Sequence, residues 1–281
     1  MAKGEWQMAK GISLHSIVPV RAEARECAEQ NTQMLFGELC RIVESPNGTE
    51  PVESDRWRYI QLENDGQEGW VDAKMITPMS DEEYTAYAEA LKTAAMVAFP
   101  MAYAVSENNS QTIPLTAGTR LTNYKDGRFE VLGVGFRIDP NMVITQPMEL
   151  NEQNLLQAVR FFLNTPYLWG GKNALGMDCS GFTQVVMSLF GKQLLRNASE
   201  QATQGELIPS LDQAQAGDLA FFDHEDGKIA HVGIIIDRAR VIHCSGRVKV
   251  EKLDINGIKM SENGQYSHHL VTIRRQKQSF C

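Results

Sequence analysis

The chain has 281 residues, 43% of them hydrophobic and 22% charged, which is enough for two or three domains with true cores. A formal net charge of −8 argues against nucleic acid as a partner, since that would call for a basic face. It leaves room for a small charged ligand in a local pocket. No apolar run is long enough to span a membrane, and the first residues carry no apolar signal core. The compartment therefore stays open: cell envelope or periplasm if a leader has been removed, cytoplasm otherwise. Cys27, Cys40, Cys179, Cys244 and Cys281 show neither C-x-x-C nor disulfide-framework spacing, which fits reduced thiols; terminal Cys281 is expected to fray.

Residues 1–16 read as an N-terminal extension. Over 17–77, short strands at 17–20, 32–36, 39–43, 57–62 and 69–71 are separated by Gly, Pro, Asn and Asp clusters, and Asn64-Asp65-Gly66 is a hairpin signal. That pattern is a small β-barrel. A capping box, Ser80 to Glu83, starts a helix with Tyr84, Tyr87, Ala88 and Leu91 on one face. After Pro100 strands return at 101–105, 118–124 and 129–138, with a turn at Lys125-Asp126-Gly127-Arg128. Residues 78–145 thus read as a second, divergent barrel, and 145–150, with Pro147, as the linker.

The remainder, 146–281, reads as an α+β domain. Leu155, Leu156, Val159, Phe162 and Leu163 mark a helix that stops before Pro166. A second helix has Asp178 as N-cap, Cys179 at its first position, apolar Phe182, Val185, Val186, Leu189 and Phe190, and Gly191 as a stop. A thiol at a helix N-terminus is expected to be depressed in pKa; the competing reading is a small buried core cysteine. Residues 196–204 read as a loop with a short turn. Strands follow at 218–222, 231–237, 240–244 and 270–273, placing His231 and His243 on a hairpin and Cys244 on the face opposite His243. Nucleophilic catalysis by Cys needs a base and a group that orients the base, and Cys179, His231 and His243 supply all three. Each His alone reads more often as a satisfied core or surface residue than as a catalytic one. A zinc site from these three would lack a clustered ligand pair, so no metal or cofactor is expected.

Asp178-Cys179-Ser180-Gly181-Phe182, Ala216-Gly217-Asp218-Leu219-Ala220-Phe221-Phe222, His231-Val232-Gly233-Ile234 and Val241-Ile242-His243 resemble the signatures of NlpC/P60 cysteine peptidases, as does the Tyr167-x-Trp169-Gly-Gly approach. Gln33 to Glu38, Trp57-x-Tyr59-Ile60 and Glu68-Gly69-Trp70-Val71 resemble a bacterial SH3 (SH3b) domain. The resemblance implies a papain-like catalytic domain preceded by two SH3b-like barrels. It implies Cys179 as nucleophile, His231 as base, His243 as the orienting group and Tyr167 as an oxyanion donor. Trp169 lines the approach or packs in the core.

The same pairing of domains resembles γ-D-glutamyl-L-diamino-acid endopeptidases, which cut peptidoglycan stem peptides bearing a free N-terminal L-Ala. The resemblance then implies Asp178, Ser180 and Glu38 as receivers of the substrate amine, and Arg196 as partner of a substrate carboxylate. Gln67 stands where relatives carry Tyr, and Asn197-Ala198 where they carry an acid and a hydroxyl. The implied partner is stem peptide, with no nucleic acid, and the chain is expected to be monomeric. Two alternatives stay open: a broader amidase or stem-peptide hydrolase acting on intact wall, and a wall-binding protein with a vestigial catalytic domain.

Overall fold

Strand Ile17–Arg21 buries Val18 and Val20 and turns its other residues outward, the period-two pattern of its sequence. It belongs to the first of two units, which divide after Gln146 in the computed structural model; residues 10–48, 55–223 and 227–277 are described. Seven antiparallel strands lie in the order Gln30–Leu35, Ile17–Arg21, Glu68–Asp72, Trp57–Leu62, Leu39–Ile42, Lys10–Ile12, Thr77–Met79. They enclose Val18, Val20, Met34, Cys40, Ile60, Leu62, Val71 and Ile76. Residues 10–12, expected within the extension, are instead a strand. Gly11 lies opposite both Cys40 and Pro78, and Ile12 is fully buried, so apolar burial draws the segment into the sheet. Residues 1–9 of that extension, and Cys281, lie outside the described residues.

The expected capping box forms in full, with Ser80 Oγ accepting from the Glu83 N–H and the Glu83 carboxylate from the Ser80 N–H. Helix Asp81–Leu91 then buries Tyr84 and Tyr87. The segment expected as one strand over 129–138 is a hairpin, Arg128–Val131 with Val134–Ile138. It folds at Leu132-Gly133, where φ is +49° and +75°. Both central residues of a type I′ turn need positive φ, and leucine is a poor advertisement for one. The edge-on packing of Phe36 on Phe129 and Phe136, with ring centroids 6.4 and 5.5 Å apart, runs one core across the boundary expected at 77/78. The first sheet keeps a core of its own around Val18, Met34 and Ile60 beside this shared cluster.

In the second unit, helix Glu152–Val159 is capped by Asn151, whose side chain accepts from the Asn154 N–H. It ends four residues before the end of its apolar pattern. A turn carries Phe162 into the core while Leu156 and Leu163 stay exposed, so only part of the expected apolar stripe is buried. The sheet runs Glu206–Ile208, Tyr266–Arg275, Leu219–Asp223, His231–Asp237, Arg240–Ser245, Arg247–Asp254, Gly257–Lys259. Because Gly257–Lys259 also pairs with Tyr266–Arg275, six of the strands close on themselves around Phe222, Ile235, Val241, Leu253, Ile258 and Ile273. Helix Cys179–Ser188 packs against the histidine hairpin from outside. Among the described residues, no helix is long and apolar enough to cross a membrane.

Candidate active site

The nucleophile helix begins as its sequence dictates. Asp178 has extended backbone, and its Oδ1 accepts from the Gly181 N–H at 2.7 Å. Oδ2 accepts from the Gly170 N–H at 2.9 Å, tying the glycine-rich approach to the same carboxylate. Arg196 donates to both oxygens, at 3.0 and 2.6 Å, and to Ser180 Oγ at 2.9 Å. Arg196 is 1% exposed. Arg196, expected as partner of a substrate carboxylate, has its guanidinium turned inward onto the cap, where a buried Asp178 needs a counter-charge. Asp178 and Ser180, expected to receive a substrate amine, are joined to that same buried pair.

Gly181 is set by close approach. A Cβ there would lie 2.2 Å from the Gly171 carbonyl oxygen, a backbone atom that gives way only at a cost. Gly181→Ala is therefore expected to push out the loop that carries Tyr167 and Trp169, with a loss of turnover of about 100-fold. A melting curve that stays cooperative alongside that loss, read by circular dichroism and a peptide assay, checks it; unaltered turnover refutes it.

Cys179 occupies the first helical position and is 7% exposed. Burial, and then the Asp178 carboxylate, push its thiol up to about 12, against the Val232 N–H, Arg196 and the Ser180 N–H. The depressed pKa expected at a helix N-terminus is thus reversed, since desolvation outweighs the helix dipole here. A thiol in that state needs a base to become a nucleophile. The helix that carries Cys179 packs on strand His231–Asp237, and the Val232 N–H, next to His231, favours the thiolate.

His231 and His243 sit on paired strands, with His243 opposite Gly233, two residues along from His231. Their rings meet edge-on, His231 Nε2 lying 2.8 Å from His243 Nδ1. The chain continues: His243 Nε2 lies 2.9 Å from Glu251 Oε2. His268 stacks on the His231 ring at 4.2 Å between centroids, 25° from parallel, with its Nδ1 2.9 Å from Ser267 Oγ. All four side chains are buried. Burial holds His243 below its ordinary value of 6.5, outweighing Glu251 and reinforced by Lys249. Burial opposes ionisation of Glu251 too, but the His243 hydrogen bond and charge, Lys249 and the Ser261 N–H outweigh it and hold the carboxyl below 4.5.

These directions have a common sign. Below pH 6.5 the unfolded chain takes up a proton at His243 that the folded one refuses, and below 4.5 the same holds at Glu251. Stability is therefore expected to fall as pH drops from 6.5, and more steeply through 4.5. Urea melts between pH 8 and 4 read this directly, and His243→Gln should flatten the decline between 6.5 and 5.

Tyr167 is held near the nucleophile by its N–H to the Gly246 carbonyl and a parallel bridge to Met177. Burial, then the neighbouring Cys179 and Asp178, raise its phenol, so the hydroxyl remains a donor. Trp169 is 59% exposed, which removes the core-packing reading. Cys244 donates to the Met177 carbonyl at 3.0 Å. Glu38 and Gln67 belong to the first unit. Glu38 accepts from the Leu35 N–H and the Asn64 amide, and Gln67 donates to Asp65 and to the Glu68 carbonyl. Among the described residues no group of three or more His, Cys, Asp or Glu could hold a metal ion.

Comparison with known proteins identifies two domains of the chain. The profile described as NlpC/P60 family matches residues 164–275, the stretch holding Cys179, both histidines and Glu251. The chain carries an NlpC/P60 domain. Residues 20–76 match the bacterial dipeptidyl-peptidase SH3 domain. A Bacillus subtilis protein named γ-D-glutamyl-L-lysine dipeptidyl-peptidase is 34% identical over 155 residues, 53% of this chain and 52% of that one. Dipeptidyl-peptidase 6 of Lysinibacillus sphaericus is 34% identical over 107 residues, 36% of each. The chain thus spans about half the length, or less, of these curated relatives. A crystal structure of an NlpC/P60 family protein from Bacillus cereus superposes with a TM-score of 0.76 over 95% of this chain and 99% of that one, at 18% identity, so the likeness is one of fold.

Two residues of the NlpC/P60 site escape sequence reasoning. Glu251 lies on strand Arg247–Asp254, in the run Lys249-Val-Glu-Lys252, which reads as an ordinary solvated edge. His268 precedes the apolar stretch that marks the last strand. Strand register, which puts Glu251 on the His243 face, reveals the first, and stacking on His231 the second.

Proposed function

We propose that the protein is a cysteine peptidase that hydrolyses the γ-D-glutamyl bond to an L-diamino acid, L-lysine first, in peptidoglycan stem peptides with a free N-terminal L-Ala. The observation that carries the chemistry is a buried thiol placed beside the His231 strand, with His231 held by a continuous hydrogen-bonded chain. His231 takes the Cys179 proton as the sulfur bonds to the substrate carbonyl carbon. The oxyanion is received by the Cys179 N–H and the Tyr167 hydroxyl. His231 then gives the proton to the leaving amine as the C–N bond breaks, and water, deprotonated by the same imidazole, cleaves the thioester.

The substrate class is supported by the names of the relatives, since a dipeptidyl-peptidase releases a dipeptide from a free amino end. It is supported also by an SH3 domain of the dipeptidyl-peptidase kind on the same chain. Residues 78–145 are read as a second, divergent SH3b-like module. Gln67 and Ala198, where relatives differ, bear on how stringent the choice is. Mass spectrometry after incubation with L-Ala-γ-D-Glu-L-Lys, beside its N-acetylated form, tests the reading. Release of L-Ala-γ-D-Glu from the free peptide and slow or no cleavage of the acetylated one is expected. Equal rates on both would make the protein a general stem-peptide hydrolase.

A further inference from the structure

We infer that Glu251 is a positioning residue of the active site, a buried fourth member that acts on Cys179 through His243 and His231. The inference rests on the proposed peptidase chemistry for its kinetic readout only. Each link follows from hydrogen-bond complementarity. An ionised carboxylate has no proton to give, so the 2.9 Å contact requires the hydrogen to sit on His243 Nε2. A neutral His243 then presents a bare Nδ1, which at 2.8 Å can only accept. His231 must therefore donate from Nε2, and its remaining lone pair is on Nδ1. One carboxylate thus selects the tautomers of two rings and leaves a base at the second.

The contacts on the other carboxylate oxygen favour this tautomer chain over its reverse, which would need a protonated Glu251. Glu251 and His243 are 4% and 0% exposed, so no bulk water competes for either imidazole edge. The charged and titratable groups facing the chain are Lys249 on the Glu251 strand, His231 and His268 on neighbouring strands, and Glu251 itself. Lys249 Nζ lies 3.4 Å from Glu251 Oε1, the oxygen that His243 does not use, and keeps the carboxylate ionised. The Ser261 N–H reaches the same oxygen. His268, stacked face to face on His231, blocks that ring from tilting out of the line. As the His231 ring becomes cationic during thiol deprotonation, the Glu251 charge two links away stabilises it in a water-poor site.

The test compares Glu251→Gln, Glu251→Asp, His243→Gln and the double variant Glu251→Gln/His243→Gln. Two readouts are used: kcat and KM on L-Ala-γ-D-Glu-L-Lys, and the rate of Cys179 alkylation by iodoacetamide, mapped by peptide mass spectrometry. Glu251→Gln is expected to lower kcat about tenfold or more with KM little changed, and to slow alkylation in proportion. Glu251→Asp, which keeps the charge at shorter reach, should fall between. In the His243→Gln background the link to His231 is cut, so adding Glu251→Gln should change neither rate further. A merely structural Glu251 would instead lower both backgrounds equally, or leave kcat and alkylation at wild-type values, and either result overturns the inference. Alkylation needs no substrate. If the wild type fails to cleave the tripeptide, the peptidase reading fails while the alkylation arm still decides on Glu251.

Discussion

Cys179→Ala is expected to lower turnover by at least about 10⁴-fold while leaving the fold in place. Exchange of a thiol for a methyl at a first helical position keeps the cap made by Asp178, Gly181 and Arg196, and removes only one small buried atom. Stability should change by about 1 kcal/mol or less. His231→Ala should be comparably severe in rate, because a thiol pushed up to about 12 has almost no thiolate of its own near neutral pH. Peptide assays read the rates and thermal melts read the fold. Substantial residual turnover in Cys179→Ala, or a melt lowered enough to explain the loss, would remove Cys179 from the nucleophile's place.

Arg196→Leu is expected to be the most destabilising single change in the second unit, by about 3–5 kcal/mol. The leucine fills most of the volume but leaves the Asp178 carboxylate 8% exposed, with its two guanidinium bonds gone and only the Gly170, Gly181 and Ser180 donors remaining. A buried charge stripped of its counter-ion costs far more than an exposed pair is worth. Arg196→Lys should recover part of the loss, since an ammonium restores charge but not the two-nitrogen fork. Chemical denaturation with wild type, both variants and Asp178→Asn reads this. If Arg196→Leu lies within 1 kcal/mol of wild type, the pair is not the anchor of the helix start.

What the sequence made legible follows from what is local. Capping residues, apolar spacing and the hairpin around Arg238-Ala239 located the nucleophile helix to within two residues and placed both histidines on paired strands, because each signal is written in adjacent positions. Features that arise from closure were hidden. Glu251 becomes part of the site only because Arg247–Asp254 pairs in register with Arg240–Ser245, and one charged residue on a Lys-rich strand looks solvated until that pairing is known. Burial misled in the other direction at Cys179, where the helix end is visible in sequence but the depth that overrides it is not. Arg196 shows the same limit: its two bonds to the buried Asp178 carboxylate are not visible in sequence. In the first unit, Leu132 hid a turn, since leucine does not signal positive φ, and the short segment around Ile12 carried too little pattern to mark a strand.

The most direct measurement is hydrolysis of L-Ala-γ-D-Glu-L-Lys in ¹⁸O-labelled water by wild type and by Cys179→Ala, with products read by mass spectrometry. Acyl transfer to Cys179 followed by hydrolysis predicts one ¹⁸O in the γ-carboxylate of the released L-Ala-D-Glu, unlabelled lysine, and no product from Cys179→Ala. Release of free L-Ala, an intact tripeptide with active wild-type protein, or equal product from the variant would contradict the account.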